Sequence, residues 1–128
     1  MKFTIEKNEK YTLIQLHEEK LTSLIAPELK SELVKINAEG VKNIILDGSQ
    51  VKYTDSSGLS SILVGNRLCE NEQGLFVIAA PTDHVLKLIK ISQLDSVLHI
   101  LPTVEEAIDA VFMNELEQNL NKEGSKEA

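Results

Sequence analysis

"NIILDGSQVKYTDSSGLSSILVGNRL", residues 43–68, is the stretch whose reading decides the fold. Ile44-Ile45-Leu46 is a short, wholly apolar run that stops at Asp47-Gly48. Such a run suits a central strand covered on both faces. Further on, Leu59, Ile62, Leu63 and Leu68 recur at helical spacing,. Between strand and helix stand Asp55, Ser56, Ser57 and Gly58. Asp55 is placed so that its carboxylate can cap the unpaired N–H groups of the next helix, a contribution of about 1 kcal/mol. Ser56 then takes the first helical position, with its hydroxyl over the helix mouth at the positive end of the dipole. Gly58 allows close approach of backbone or of a partner. Spacing alone is equally satisfied by an ordinary helix start.

Working outward, "KFTIEKN" and "YTLIQLH" alternate apolar with polar residues on either side of Asn8-Glu9-Lys10. They predict a β-hairpin with Phe3, Ile5, Leu13 and either Ile14 or Leu16 facing inward. "LTSLIAPELKSELVKINAEG" follows, with Leu24, Ile25, Leu29, Leu33 and Ile36 as a helical stripe,. Pro27 fits the first turn and Gly40 the stop. After residue 68, Gly74 precedes the strand "LFVIAA", and Pro81-Thr82-Asp83 opens a helix through "HVLKLIKI". "VLHIL" reads as a short strand and "TVEEAIDAVFMNELEQNL" as an amphipathic helix, Thr103 and Glu106 forming a capping box,. The order is hairpin, three helix–strand units and a last helix. Strands separated by helices imply parallel pairing. The expected fold class is therefore α/β: a mixed β-sheet with an N-terminal β-hairpin and about four helices packed largely on one face.

The chain has 128 residues, 42% of them hydrophobic and 26% charged. That is enough for one domain burying roughly two-thirds of its unfolded surface. Residues 1–113 are expected to form it, with 114–128 as the end of the last helix and a flexible polar tail. Cys69 is the single cysteine, so no intrachain disulfide framework exists,. It lies on the helix after the motif and reads as a small packing residue. The N-terminal residues lack an apolar signal core, and no apolar run is long enough for a transmembrane helix. A cytoplasmic protein without membrane insertion is the expectation. The net charge of −7 opposes direct nucleic-acid binding and favours a partner with a basic or mixed face,.

"NIILDGSQVKYTDSSGLSSILVGNRL" closely resembles the core signature of STAS domains, the sulfate-transporter and anti-sigma-factor-antagonist family. The similarity runs on through "EQGLFVIAAPTDHVLKLIKISQLDSVLHILPTVEEAI" and covers about residues 2 to 112. The resemblance implies the STAS fold and, for a stand-alone bacterial member, an anti-anti-sigma factor. Such a protein binds an anti-sigma factor that is itself an ATP-dependent serine kinase, and so frees a sigma factor. The kinase phosphorylates the first serine of the motif and a metal-dependent serine phosphatase reverses it. Carried over, the phosphorylation site is Ser56. Asp55, Ser57 and Gly58 complete the partner-binding surface, with Thr22 and Ser23 from the segment before the first helix. No cofactor is implied. Thr22 stands where many members have Asp, and Ser92-Gln93-Leu94 replaces Ser-Gly-Leu. Gln93 must therefore avoid a positive φ or accept strain. A second role compatible with the resemblance is a non-switched scaffold subunit of a signalling assembly or of a lipid-transport ATPase.

Other chemistry lacks the necessary residues. Asp47 ends a strand as the acceptor of a receiver domain does, but a receiver opens with a βα unit and an acidic pair after its first strand. A turn-forming Asp-Gly is the better reading. A serine hydrolase needs Gly-x-Ser-x-Gly with a histidine base, whereas His17, His84 and His99 are isolated. No spacing of histidine and cysteine suits a metal. The expectation is a binding protein with no catalytic residues, not an enzyme.

Overall fold

The computed structural model describes the backbone of residues 1–127 and the side chains of residues 1–122. The strands are β1 (Phe3–Lys7), β2 (Thr12–Leu16), β3 (Lys20–Leu21), β4 (Ile44–Asp47), β5 (Tyr53–Thr54), β6 (Phe76–Ala79) and β7 (His99–Leu101). The helices are α1 (Ala26–Ala38), α2 (Ser56–Asn71), α3 (Asp83–Ile91) and α4 (Val104–Glu127). Of the helix end and flexible polar tail expected over residues 114–128, the side chains from residue 123 on lie outside the described residues.

Five strands form one sheet in the order β1-β2-β4-β6-β7. β1 and β2 pair antiparallel, while β2–β4, β4–β6 and β6–β7 pair parallel. The mixed sheet and the opening hairpin are as expected. β4 and β6 are central, and every one of their residues is buried. This is why the two sequences carry no polar alternation.

The sheet separates two apolar clusters. On one face Ile14, Leu16, Ile44, Leu46, Phe76 and Ile78 pack with residues of α1, α2 and α3. On the other, Tyr11, Ile45, Val77 and Ala79 meet Ala107 and Val111 of α4. The strand period of two sends alternate residues to opposite faces. It also corrects the reading of β2. Ile14 and Leu16 both enter the larger core, whereas Leu13 faces the α4 side and is only partly buried.

Two further details depart from the helical stripes. Leu24 does not join the α1 stripe; it precedes the helix in a turn and is 87% exposed. In α2, Cys69 rather than Leu68 occupies the fully buried position. Burial there pushes the Cys69 thiol up to about 12, so it behaves as an inert packing group,. Gln93 adopts φ 60° in the left-handed region, accepting the strain that a glycine would avoid,.

Asn43 ties the second layer to the sheet. Its amide nitrogen donates to the Lys10 carbonyl at 2.8 Å and to Glu115 Oε1 at 2.7 Å. Its Oδ1 accepts from the Leu75 N–H at 2.8 Å. Lys42 Nζ adds an ion pair to the same Glu115 oxygen at 3.4 Å. Partial burial pushes the Glu115 carboxyl upward, but the Asn43 hydrogen bond and the Lys42 charge outweigh it and hold it below its ordinary value.

A carboxylate with a lowered folded value stabilises above its unfolded value and loses that contribution as pH falls through the folded one. Glu115→Gln is therefore less stable than the parent at neutral pH, and the difference closes below pH 4.5, the group's ordinary value, in thermal unfolding followed against pH,. Gln93→Gly relieves the left-handed backbone and raises stability by about 0.5–1 kcal/mol in urea unfolding, less than the full steric cost because glycine also loosens the unfolded chain. A loss of stability would mean that the Gln93 side chain makes a stabilising contact.

Candidate functional site

The site is assembled by the two-residue strands β3 and β5, which the sequence did not announce. They pair parallel, Lys20 opposite Tyr53 and Leu21 opposite Thr54. Thr54 Oγ1 donates to the Leu21 carbonyl at 2.8 Å in a buried position. Gly58 sits directly against this pair. A Cβ at residue 58 would overlap the Thr54 hydroxyl and the Leu21 carbonyl. Only glycine lets the first turn of α2 approach so closely.

Asp55 is the N-cap of α2, in extended backbone. Its Oδ1 accepts from the Gly58 N–H at 3.0 Å, as the cap requires,. Its Oδ2 accepts from the Ser23 N–H at 3.3 Å. One carboxylate thus closes the mouth of α2 and also holds the turn that leads into α1. That turn is held by its own backbone too, since Ile25 and Ala26 both donate to the Thr22 carbonyl.

Ser56 is the first residue of α2 and is exposed; Ser57 is half-buried and Gly58 buried. Thr22 is half-buried and Ser23 exposed. All six residues expected at the site therefore converge on the adjoining starts of α1 and α2. Between these helix starts lies an open cavity of about 390 Å³ lined by Ser23, Ala26, Pro27, Lys30, Ser56, Ser57 and Ser60.

Several contributors were not legible beforehand. Lys30 places a cation on the cavity that holds Ser56. Leu24, in the turn beside Ser23, is an exposed apolar side chain. On the other flank the Tyr53 ring lies against His84, centroids 5.1 Å apart and 30° from parallel. Thr82 secures this flank, donating from its hydroxyl to the Val51 carbonyl at 2.7 Å. Residues 30 and 84 lie far along the chain from the motif, and only packing of α1 and α3 brings them near it. Helical spacing does place Lys30 one turn beyond Ala26, but nothing in the sequence aims it at residue 56.

Asp47 is removed from this surface by its own turn. It is buried, and its Oδ1 accepts from the Ser49 N–H at 2.9 Å. That is the Asp-Gly turn geometry expected of it. Among the described residues no helix is long and apolar enough to cross a membrane.

The same arrangement of sheet and helices occurs in solved proteins. SpoIIAA of Bacillus, an anti-sigma factor antagonist, is 25% identical in its phosphorylated form, with a TM-score of 0.68 over 86% of this chain and 99% of that one. An anti-sigma factor antagonist from Mycobacterium paratuberculosis is 21% identical, with a TM-score of 0.77 over 86% and 92%. A sulfate transporter family protein from Wolinella succinogenes is 15% identical, with a TM-score of 0.72 over 84% and 88%. The family model described as the STAS domain matches residues 2–107, which include the whole of β3, β5, α2 and the site they frame. With strand order, helix placement and the Asp-Ser-Ser-Gly helix start all accounted for, the chain belongs to the STAS domain family.

Proposed function

We propose that this chain is an anti-sigma factor antagonist switched by phosphorylation of Ser56. The observation that carries the reading is the contrast within one helical turn. Asp55 and Gly58 are committed to holding the backbone, while the Ser56 hydroxyl is exposed on the rigid end of α2. A phosphate there adds a charge of about −1.5 to −2. The helix dipole and free amides of the first turn accommodate it, worth about 0.3–2 kcal/mol, so the fold survives. A partner seated on the Thr22–Leu24 turn and the start of α2 would instead face a strongly hydrated dianion. Three steps of about 1.4 kcal/mol weaken such a contact about a thousandfold.

In this reading the unphosphorylated chain docks an anti-sigma factor that is also a serine kinase, using Asp55, Ser56, Ser57 and Gly58 with Thr22 and Ser23. Leu24 supplies the apolar anchor. A metal-dependent serine phosphatase restores the docking form. The chain itself acts as a cytoplasmic binding protein rather than an enzyme. The likeness to SpoIIAA, which was solved both with and without phosphate, supports this assignment.

Ser56→Glu is expected to bind the kinase-type anti-sigma factor at least about tenfold more weakly in titration calorimetry, with a melting temperature within a few degrees of the parent. Ser56→Ala is expected to bind and to take up no phosphate from ATP. Continued uptake would move the acceptor to Ser57, and unaltered affinity of Ser56→Glu would favour the non-switched scaffold role. Asp55→Ala removes both the cap and the grip on Ser23. It should cost about 1 kcal/mol in denaturant unfolding and weaken docking beyond what that loss of stability explains. Asp55→Ala with undiminished docking would show that the turn before α1 needs no such grip.

A further inference from the structure

The outer face of α4 is not explained by the fold or by the proposed switch. Ala107 and Val111 are fully buried against the sheet, and Glu115 is clamped by Asn43 and Lys42. The opposite side of the helix carries Met113, Leu116 and Leu120, all between 52% and 57% exposed, while Phe112 lies at its flank with its ring edge-on to buried Tyr11, centroids 6.4 Å apart. Met113, Leu116 and Leu120 follow the three-then-four spacing of a two-helix seam,. One and two turns earlier, the same line along the helix is occupied by Asp109 and Glu106, both exposed. From Val104 to Asn121 the helix contains five acidic residues (105, 106, 109, 115 and 117) and no lysine or arginine.

We infer that this face docks an amphipathic helix of a partner protein, one whose apolar ridge continues into a basic cluster. An apolar ridge on a straight helix is matched by a second helix packed alongside. The acids at the head of the ridge then require cations opposite them. A second copy of this chain does not meet that requirement. Parallel pairing sets Glu106 and Asp109 against their own counterparts, and antiparallel pairing presses them onto the apolar residues of the other copy. Both arrangements leave buried charge unpaired. α4 covers the sheet face opposite the one that carries α1 and α2, so this partner and a partner at Ser56 can be bound together. The inference goes beyond the proposed switch and does not depend on it.

The probe is a synthetic helical peptide whose leucines, at i, i+4 and i+7, continue on the same face into lysines. Two controls are a scrambled peptide of the same composition and a peptide with glutamate replacing every lysine. Amide chemical shifts and fluorescence anisotropy on the full chain provide the readout. Saturable binding is expected, with shifts confined to Phe112–Leu120 and the turns around Glu106 and none at Asp55–Ser60. Both controls, and the double variant Met113→Ala/Leu116→Ala with an unchanged melting temperature, are expected to bind at least about tenfold more weakly. Should the double variant lose stability, Asp109→Lys serves instead and is expected to weaken the same peptide.

No binding, or equal binding by the scrambled peptide, would overturn the inference. So would a parent chain that sediments as a dimer and becomes a monomer in the double variant, because the occupant would then be a second copy. Co-sedimentation with phosphatidylcholine vesicles through the same face would assign it to a lipid surface and overturn it equally. Loss of phosphate switching in Ser56→Ala leaves every one of these outcomes unaffected.

Discussion

A single carboxylate sets the geometry on which the candidate site depends. Asp55 accepts from the Gly58 N–H with one oxygen and from the Ser23 N–H with the other. The first bond starts α2, and the second fixes the turn that precedes α1. Neither would suffice without the close contact beneath them, where Gly58 rests on the Leu21–Thr54 pair with no space for a side chain. Together these contacts bring two segments more than thirty residues apart in sequence onto one rigid surface,.

That rigidity bears on what a charge change at Ser56 can do. The α2 start is backed by a core in which Leu59, Ile62 and Cys69 are nearly or fully buried. In the proposed switch, a group added there would meet a well-packed helix start, and its effect would fall on the docked partner. The cavity beside Ser56 carries Lys30 and four further serine or proline side chains, Ser23, Pro27, Ser57 and Ser60. α4 lies behind the sheet and is secured independently by the Asn43–Glu115–Lys42 cluster. The two faces therefore answer to different residues.

Most of the architecture was legible in the sequence because it rests on periodicity. Apolar runs at Ile44–Leu46 and Phe76–Ala79 could only be central strands once helical stripes surrounded them. Pro27, Gly40, Thr82 and Thr103 mark helix ends through local backbone chemistry, and each stands at or beside one. The errors share one cause. Leu24 and Leu13 have the right spacing for a core position, but spacing cannot tell whether the helix has begun or which sheet face is the deeper. Gln93 shows the converse, a residue the chain tolerates at φ 60° although its type argues against it,.

The sequence by itself determined the order of the elements other than β3 and β5, the mixed sheet and the place of Asp55, Ser56 and Gly58 at a helix start. These follow from short-range rules: side-chain period, capping and the freedom of glycine. Only the tertiary structure decided that Lys30 shares a surface with Ser56, that Tyr53 meets His84, and that α4 is the helix covering the second face. Those facts come from long-range packing, in which two-residue strands too short to show any period bring distant segments into register.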